Sequence, residues 1–330
     1  MMATFSRTVS AHRRSAFSLI EVLIVMSLLS VIVLGLMAMF NQTQRAFRLG
    51  MSQTDILESG RMVSDLTARE LEQVTPSYMN RTNVGSASIG GISDYAPNVF
   101  TETVNVFQQA LPGATGVYRT NILTDLFFVT RQNQTWTGIG YFVRTNRVDD
   151  PQFPAFGAGP LGTLYRFETN MSAARFAVNP EGLFAGFLLA RNGDLTNYGI
   201  SKVLNGVVHF HSRQYDPSGW PLVSNPAWFT DRNPVSGAFL GRPESITNGT
   251  IQVFNTFPVS GEMGRYWFFS NAVPASIELE LGILESPFVE RYKAFPIPTA
   301  QTDFLSQQAA HVHVFRQRIP IRNVDLSVYQ

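Results

Sequence analysis

Ser15-Ala16-Phe17-Ser18-Leu19-Ile20-Glu21-Val22 opens an apolar run that continues to Phe40 and holds one charge, Glu21, its fifth residue. Phe17 to Phe40 is 24 residues of Leu, Ile, Val, Met, Ala, Phe and Ser with one Gly and that one Glu. As a helix rising about 1.5 Å per residue it is roughly 36 Å long. That is enough to cross a hydrocarbon core of about 30 Å. A carboxylate in such a segment is costly unless something specific neutralises it. Glu21 therefore needs a reason that membrane crossing alone does not supply.

Arg7, His12, Arg13 and Arg14 precede the run without an acidic residue, so the positive-inside rule places the N-terminus in the cytoplasm. Most of the chain is then expected outside the inner membrane. A secretory signal has an apolar core of about 7–15 residues and a small-x-small cleavage site. Here the run is too long, Leu36-Met37-Ala38 is a poor site, and Glu21 stays unexplained. A plain signal anchor accounts for the length but not for the Glu.

The stretch Ala16-Phe17-Ser18-Leu19-Ile20-Glu21 resembles the processing site of type IV pilin-like proteins: Gly, then Phe, Thr or Ser, Leu, Ile or Val, and Glu. The resemblance implies that a prepilin peptidase cuts between Ala16 and Phe17 and methylates the new amine of Phe17. Residues 1–16 are then a leader, carrying Arg7, Arg13 and Arg14, and Glu21 becomes the fifth mature residue. The departure is Ala16, where the family has Gly. Cleavage leaves a positive amine on Phe17 at the edge of the apolar segment. In a filament, the Glu21 of an incoming subunit would sit beside that amine on its neighbour. Paired, the two buried charges neutralise each other; alone, either is heavily penalised.

Beyond Phe40 the chain turns polar without a break. Leu49, Ile56, Val63 and Val74 fall on one side of a helical wheel, flanked by Leu66 and Leu71, while Asp55, Glu58, Arg61, Asp65, Arg69 and Glu72 occupy the other positions. This predicts one helix from Phe17 to about Val74, half in lipid and half packed on a globular domain. Thr75-Pro76 ends it. Gly50 and Gly60 each weaken it by about 1 kcal/mol relative to Ala.

The organisation read from the sequence is a leader over 1–16, a transmembrane segment over 17–40, an amphipathic stalk over 41–75 and a β-rich head over 76–330. The head is rich in Phe, Tyr, Asn, Thr, Gly and Pro, the composition of antiparallel sheets with long loops. Strands are expected at 125–131, 137–145, 161–169, 202–215, 275–284, 311–319 and 321–328. A short helix is expected at 299–310 and a turn at Asp216-Pro217-Ser218-Gly219. Residues 80–114 and 217–264 read as long loops. The fold class is α+β.

The head also carries weaker likenesses. Leu57-Glu58-Ser59-Gly60-Arg61, Gly162-Thr163-Leu164-Tyr165-Arg166, Val203 to Val208 leading to Tyr215-Asp216, Val273 to Leu281, and Phe315 to Arg318 are similar to the J-type minor pseudopilins, with W-type minor pilins as close relatives. The chain is longer than that branch usually is, as K-type pseudopilins are, but those typically lack the Glu kept here as Glu21.

There is no cysteine, so no disulfide, thiol nucleophile or cysteine-zinc site can form. His209/His211 and His311/His313 are two His-x-His pairs, and strand alternation puts both members of each pair on one face. Four imidazoles would converge on a metal only if the two strands are neighbours; otherwise they are partly exposed sheet residues. No metal and no cofactor are expected. Gly85-Ser86-Ala87-Ser88 lacks the surroundings of a nucleophile elbow. Gly138-Ile139-Gly140 lacks a third glycine and a following helix, and reads as sheet glycine.

Removing residues 1–16 takes away three arginines and no acid, leaving 22 basic against 24 acidic residues, a net of −2. Nucleic-acid affinity comes largely from neutralising phosphates, so no nucleic-acid partner is expected. Trp220, Trp228, Tyr266, Trp267, Phe268 and Phe269 are read as core or loop anchors. The resemblance implies a non-enzymatic minor subunit of a type II secretion pseudopilus. Its expected partners are the prepilin peptidase, other major and minor pseudopilins or pilins, an inner-membrane assembly platform and membrane lipid. A minor type IV pilin, or a membrane-anchored periplasmic enzyme or binding protein, are the alternatives.

Overall fold

Helix α1 runs without interruption from Leu19 to Leu71, 53 residues. The computed structural model describes residues 18–79, 95–113, 116–145, 160–191, 199–222, 250–255 and 264–329. Arg7, Arg13, Arg14, Ala16, Phe17 and Trp228 lie outside these, as does much of the two long loops expected from sequence. The chain divides into two units, Met1–Gln53 and Thr54–Gln330. In the first, the apolar part of α1 is exposed throughout, as suits a segment whose solvent is lipid.

In the second unit α1 becomes one-sided. Ile56, Gly60, Val63, Ser64, Thr67, Ala68 and Leu71 are buried, at steps of three and four that keep one face inward. Gly60 has a packing reason: a Cβ there would lie 2.2 Å from the Phe315 ring, so its helix cost admits a close approach. The helix stops at Leu71, short of the expected Val74. The amides of Gln73 and Val74 reach back only three residues, to Glu70 and Leu71, and Val74 bridges Thr130 of the sheet.

The described strands are β1 (Val99–Ala110), β2 (Tyr118–Gln132), β3 (Thr135–Thr145), β4 (Gly162–Ser172), β5 (Gly199–Tyr215), β6 (Ile251–Asn255), β7 (Gly264–Phe268), β8 (Ser276–Leu284) and β9 (Val312–Pro320). They form one sheet in the order β6-β7-β1-β2-β3-β4-β5-β8-β9. Neighbours in that order are antiparallel, and a single parallel bridge, Leu123 to Phe210, joins β2 to β5. Helices α2 (Ala173–Val178) and α3 (Gly182–Arg191) lie between β4 and β5 in the chain, and α4 (Ser286–Ala294) and α5 (Pro298–Ser306) between β8 and β9.

Leu126-Phe127-Phe128-Val129 of β2 shows why the sheet is covered on both faces. Leu126 and Phe128 pack with Ile56, Val63 and Leu71 of α1, while Phe127 and Val129 pack with Phe184 and Phe187 of α3. A strand buried on both sides reads as a continuous apolar run. Gly140 of β3 makes room for α3, since a Cβ there would lie 2.3 Å from the Phe187 ring. Buried Asn98 locks the chain leaving α1. Its Oδ1 accepts from the Ser77 amide at 2.9 Å, and its Nδ2 donates to the Ser270 and Ala272 carbonyls at 2.8 Å each.

Several expectations are corrected. Residues 99–110, read as loop, form β1, whose Val99, Phe100, Thr101, Glu102 and Thr103 are buried. Ile251–Asn255 and Gly264–Phe268, within or at the edge of the second expected loop, are strands. Residues 321–328 are not a strand; a 3-10 turn forms at Leu326–Tyr329, after Pro320 ends β9. The helix expected at 299–310 is α5, followed by a separate 3-10 turn at Ala309–His311. The turn at 216–219 forms as expected, with Asp216 Oδ1 accepting from the Trp220 amide at 2.8 Å.

At one end of the sheet β9 pairs with β8 through its odd-numbered residues: the Ile321 amide bonds the Ala275 carbonyl and the His311 carbonyl accepts from Glu285. Antiparallel alternation then turns the backbone groups of Val314, Arg316 and Arg318 outward. Among the described residues no further strand pairs there.

Candidate functional site

Ser18 caps α1. The Glu21 amide lies 3.0 Å from the Ser18 carbonyl and 3.3 Å from its Oγ. Ser18-x-x-Glu21 is thus the spacing of a capping box, a helix-start signal that sequence reading passed over in favour of the Glu alone. The cap uses the Glu21 backbone and leaves the carboxylate exposed. Among the described residues that carboxylate has no hydrogen-bond or ion-pair partner. The helix N-terminus favours negative charge there.

The histidines do not converge. β8 lies between β5 and β9, which separates the two pairs by two strand spacings, roughly 10 Å. Each pair instead finds its own carboxylate. His209 and His211 meet Glu280 of β8, their ligand atoms all within 4.8 Å. His311 and His313 flank buried Glu285 at 3.5 and 3.1 Å, with His311 stacked on Phe288.

The first cluster has the donor set of a metal site but the wrong proton. At the β2–β5 bridge the Ile122 amide donates to His209 Nδ1 at 2.9 Å, so in the neutral ring the hydrogen sits on Nε2. Nε2 faces Glu280 at 3.2 Å and donates to it rather than offering a lone pair to an ion. That bond, with the neighbouring positive groups, holds the Glu280 carboxyl down at about 2. Burial pushes His211 down to about 3, helped by the Arg213 charge, so it is neutral. The cluster ties strands together; Thr124 does the same from the other side, donating to the Phe210 carbonyl at 2.8 Å.

A second buried group escaped sequence reading. Glu102 of β1 and Asp125 of β2 are register partners. Arg191, the last residue of α3, reaches both at 2.7 and 2.9 Å, and Arg265 of β7 also pairs with Glu102. Burial raises the Asp125 carboxyl to about 6 against the pull of Arg191. Spacing gives no signal for this group, because its four residues come from four elements.

Residues 11–37 match the family model of the prokaryotic N-terminal methylation motif. No curated protein and no solved structure matches the chain. The motif spans the expected cleavage position, Ser18 and Glu21, and supports a type IV pilin-like or pseudopilin subunit, processed by prepilin peptidase and assembled with other pilins. Helix α1, which begins within the motif and is the one helix among the described residues long and apolar enough to cross a membrane, fits a single-pass membrane anchor.

Proposed function

We propose that the chain is a minor structural subunit, a J-type pseudopilin of a type II secretion system, matured by cleavage between Ala16 and Phe17 and assembled at or near the pseudopilus tip. Its N-terminus is cytoplasmic and its head periplasmic. The observation that carries the reading is Glu21: a carboxylate in a lipid-exposed helix, inside the methylation motif, without a partner among the described residues of its own chain. Such a charge is tolerable only if another chain supplies the cation. The role is non-enzymatic. The acidic and histidine clusters of the head are occupied in holding strands and helices to one another.

N-terminal sequencing of the mature protein tests this. A chain beginning at N-methylated Phe17 is expected; an intact Met1, or a cut after Ala38, overturns it. The motif serves a minor type IV pilin equally well, and this second reading is separated by deletion. Loss of exoprotein secretion with pili intact supports the pseudopilin, and the reverse supports the pilin.

A further inference from the structure

Between the apolar run and Ile56, the first buried residue of α1, the helix continues with no buried side chain among those described at residues 41–53. Phe40, Gln44, Phe47 and Met51 lie within about 60° of one another around the axis. Phe40, Phe47 and Met51 are 61%, 69% and 65% exposed. The lipid-facing surface therefore continues as a stripe past the point where average hydropathy ends. From Val22 to Thr54 there is no acidic residue, and the basic ones are Arg45 and Arg48. Both arginines are exposed and neither has a partner among the described residues. They stand about 7.5 and 12 Å beyond Phe40 along the helix, where a long side chain can bend back to the membrane surface.

We propose that residues 40–51 are a docking surface for anionic phospholipid headgroups. Arg45 and Arg48 take the phosphates of the extracytoplasmic leaflet, and Phe40 and Phe47 lie at the acyl boundary. Charge selects this occupant. A second copy of the same helix would bring arginine against arginine with no acid in 33 residues to offset it, whereas an anionic lipid neutralises both. The surface holds the subunit in the membrane until assembly extracts it. The proposal rests on the membrane-anchored reading.

The absence of cysteine allows single labels on the full chain. Gln44→Cys on the stripe and Ala46→Cys on the opposite side are labelled with an environment-sensitive fluorophore. The chains are reconstituted in phosphatidylcholine vesicles with and without phosphatidylglycerol, and quenched by a headgroup-region nitroxide lipid. Quenching should be greater at 44 than at 46 and should rise with phosphatidylglycerol. Arg45→Gln and Arg48→Gln should each lower the ratio of lipid-contacting to aqueous label about fivefold, with high salt doing the same. Equal quenching at both positions, indifference to lipid charge, or shielding of position 44 only after another pilin subunit is added would overturn the proposal alone. A chain that washes off in carbonate overturns the membrane reading with it.

Discussion

Glu21 and Glu70 stand in the same helix and meet opposite fates. Glu70, near the end of α1, is satisfied three times within its own chain: the Tyr141 hydroxyl donates to it at 2.5 Å, and Arg166 donates through Nε and Nη2 at 2.9 and 2.6 Å. Burial and Glu70 together push the Tyr141 phenol up, so it stays a donor. Glu21, near the start, has no partner among the described residues. One carboxylate closes a fold; the other, in the proposed assembly, is left for a different chain. Both are polar breaks in a helix face, and the proposed function rests on the one that has no partner among the described residues.

Four measurements would break or sharpen that contrast. The largest effect is expected from Glu21→Ala. It should leave the head's melting curve unchanged and lower co-purification with the filament by a hundredfold or more, the consequence of leaving the partner charge of a buried pair uncompensated, about 3–5 kcal/mol. Wild-type incorporation would end the intermolecular reading. Glu70→Ala should do the reverse. It removes the acceptor that the Tyr141 phenol and the Arg166 guanidinium share and leaves Arg166 with Glu168 alone, and denaturant titration should show a loss of about 2–3 kcal/mol with membrane insertion intact.

Gly60→Ala should cost about 1–2 kcal/mol, because crowding the Phe315 ring outweighs the gain in helix propensity of about 1 kcal/mol. Combined with Phe315→Ala the penalty should vanish, a coupling that a double-mutant cycle would register. The smallest effects lie in the pH slopes, about 1 kcal/mol per pH unit. His211 is pushed from 6.5 to about 3, so the unfolded chain takes a proton that the fold refuses. Stability falls as pH drops from 6.5. Asp125 is raised from 3.8 to about 6, so the fold keeps a proton that the unfolded chain has released. Stability then falls as pH rises from about 4 to 6. Between pH 4 and 6 the two oppose. His211→Gln should tilt the measured slope downward with rising pH, and Asp125→Asn should tilt it upward.

The first half of α1 was legible because lipid imposes one rule on every side chain, and Glu21 stood out by breaking it. The second half was legible at Ile56, Val63 and Leu71, where period and burial agree, but Leu66 is 37% exposed on the rim of the expected stripe. Strands β2 to β5, β8 and β9 were found by alternation or apolar runs. β1 was hidden: Thr101, Glu102 and Thr103 are buried polar residues, and only their neighbours in the fold make that burial tolerable. Helix α3 was missed although Leu126-Phe127-Phe128-Val129 already demanded a cover for the second face of the sheet. The four-histidine idea failed on strand order, which no spacing along the chain encodes.

The outer edge of β9 has a consequence for crowding. Arg316 is 58% exposed, Arg318 is exposed beside it, and Pro320 closes the strand without an amide to donate. A strand from another molecule that approached this edge would meet two positive side chains and then a missing donor, both of which discourage pairing. Subunits that wait side by side in a membrane, or stand stacked in a fibre, keep their heads at very high local concentration. Along the β9 edge such crowding meets a strand that disfavours added pairing.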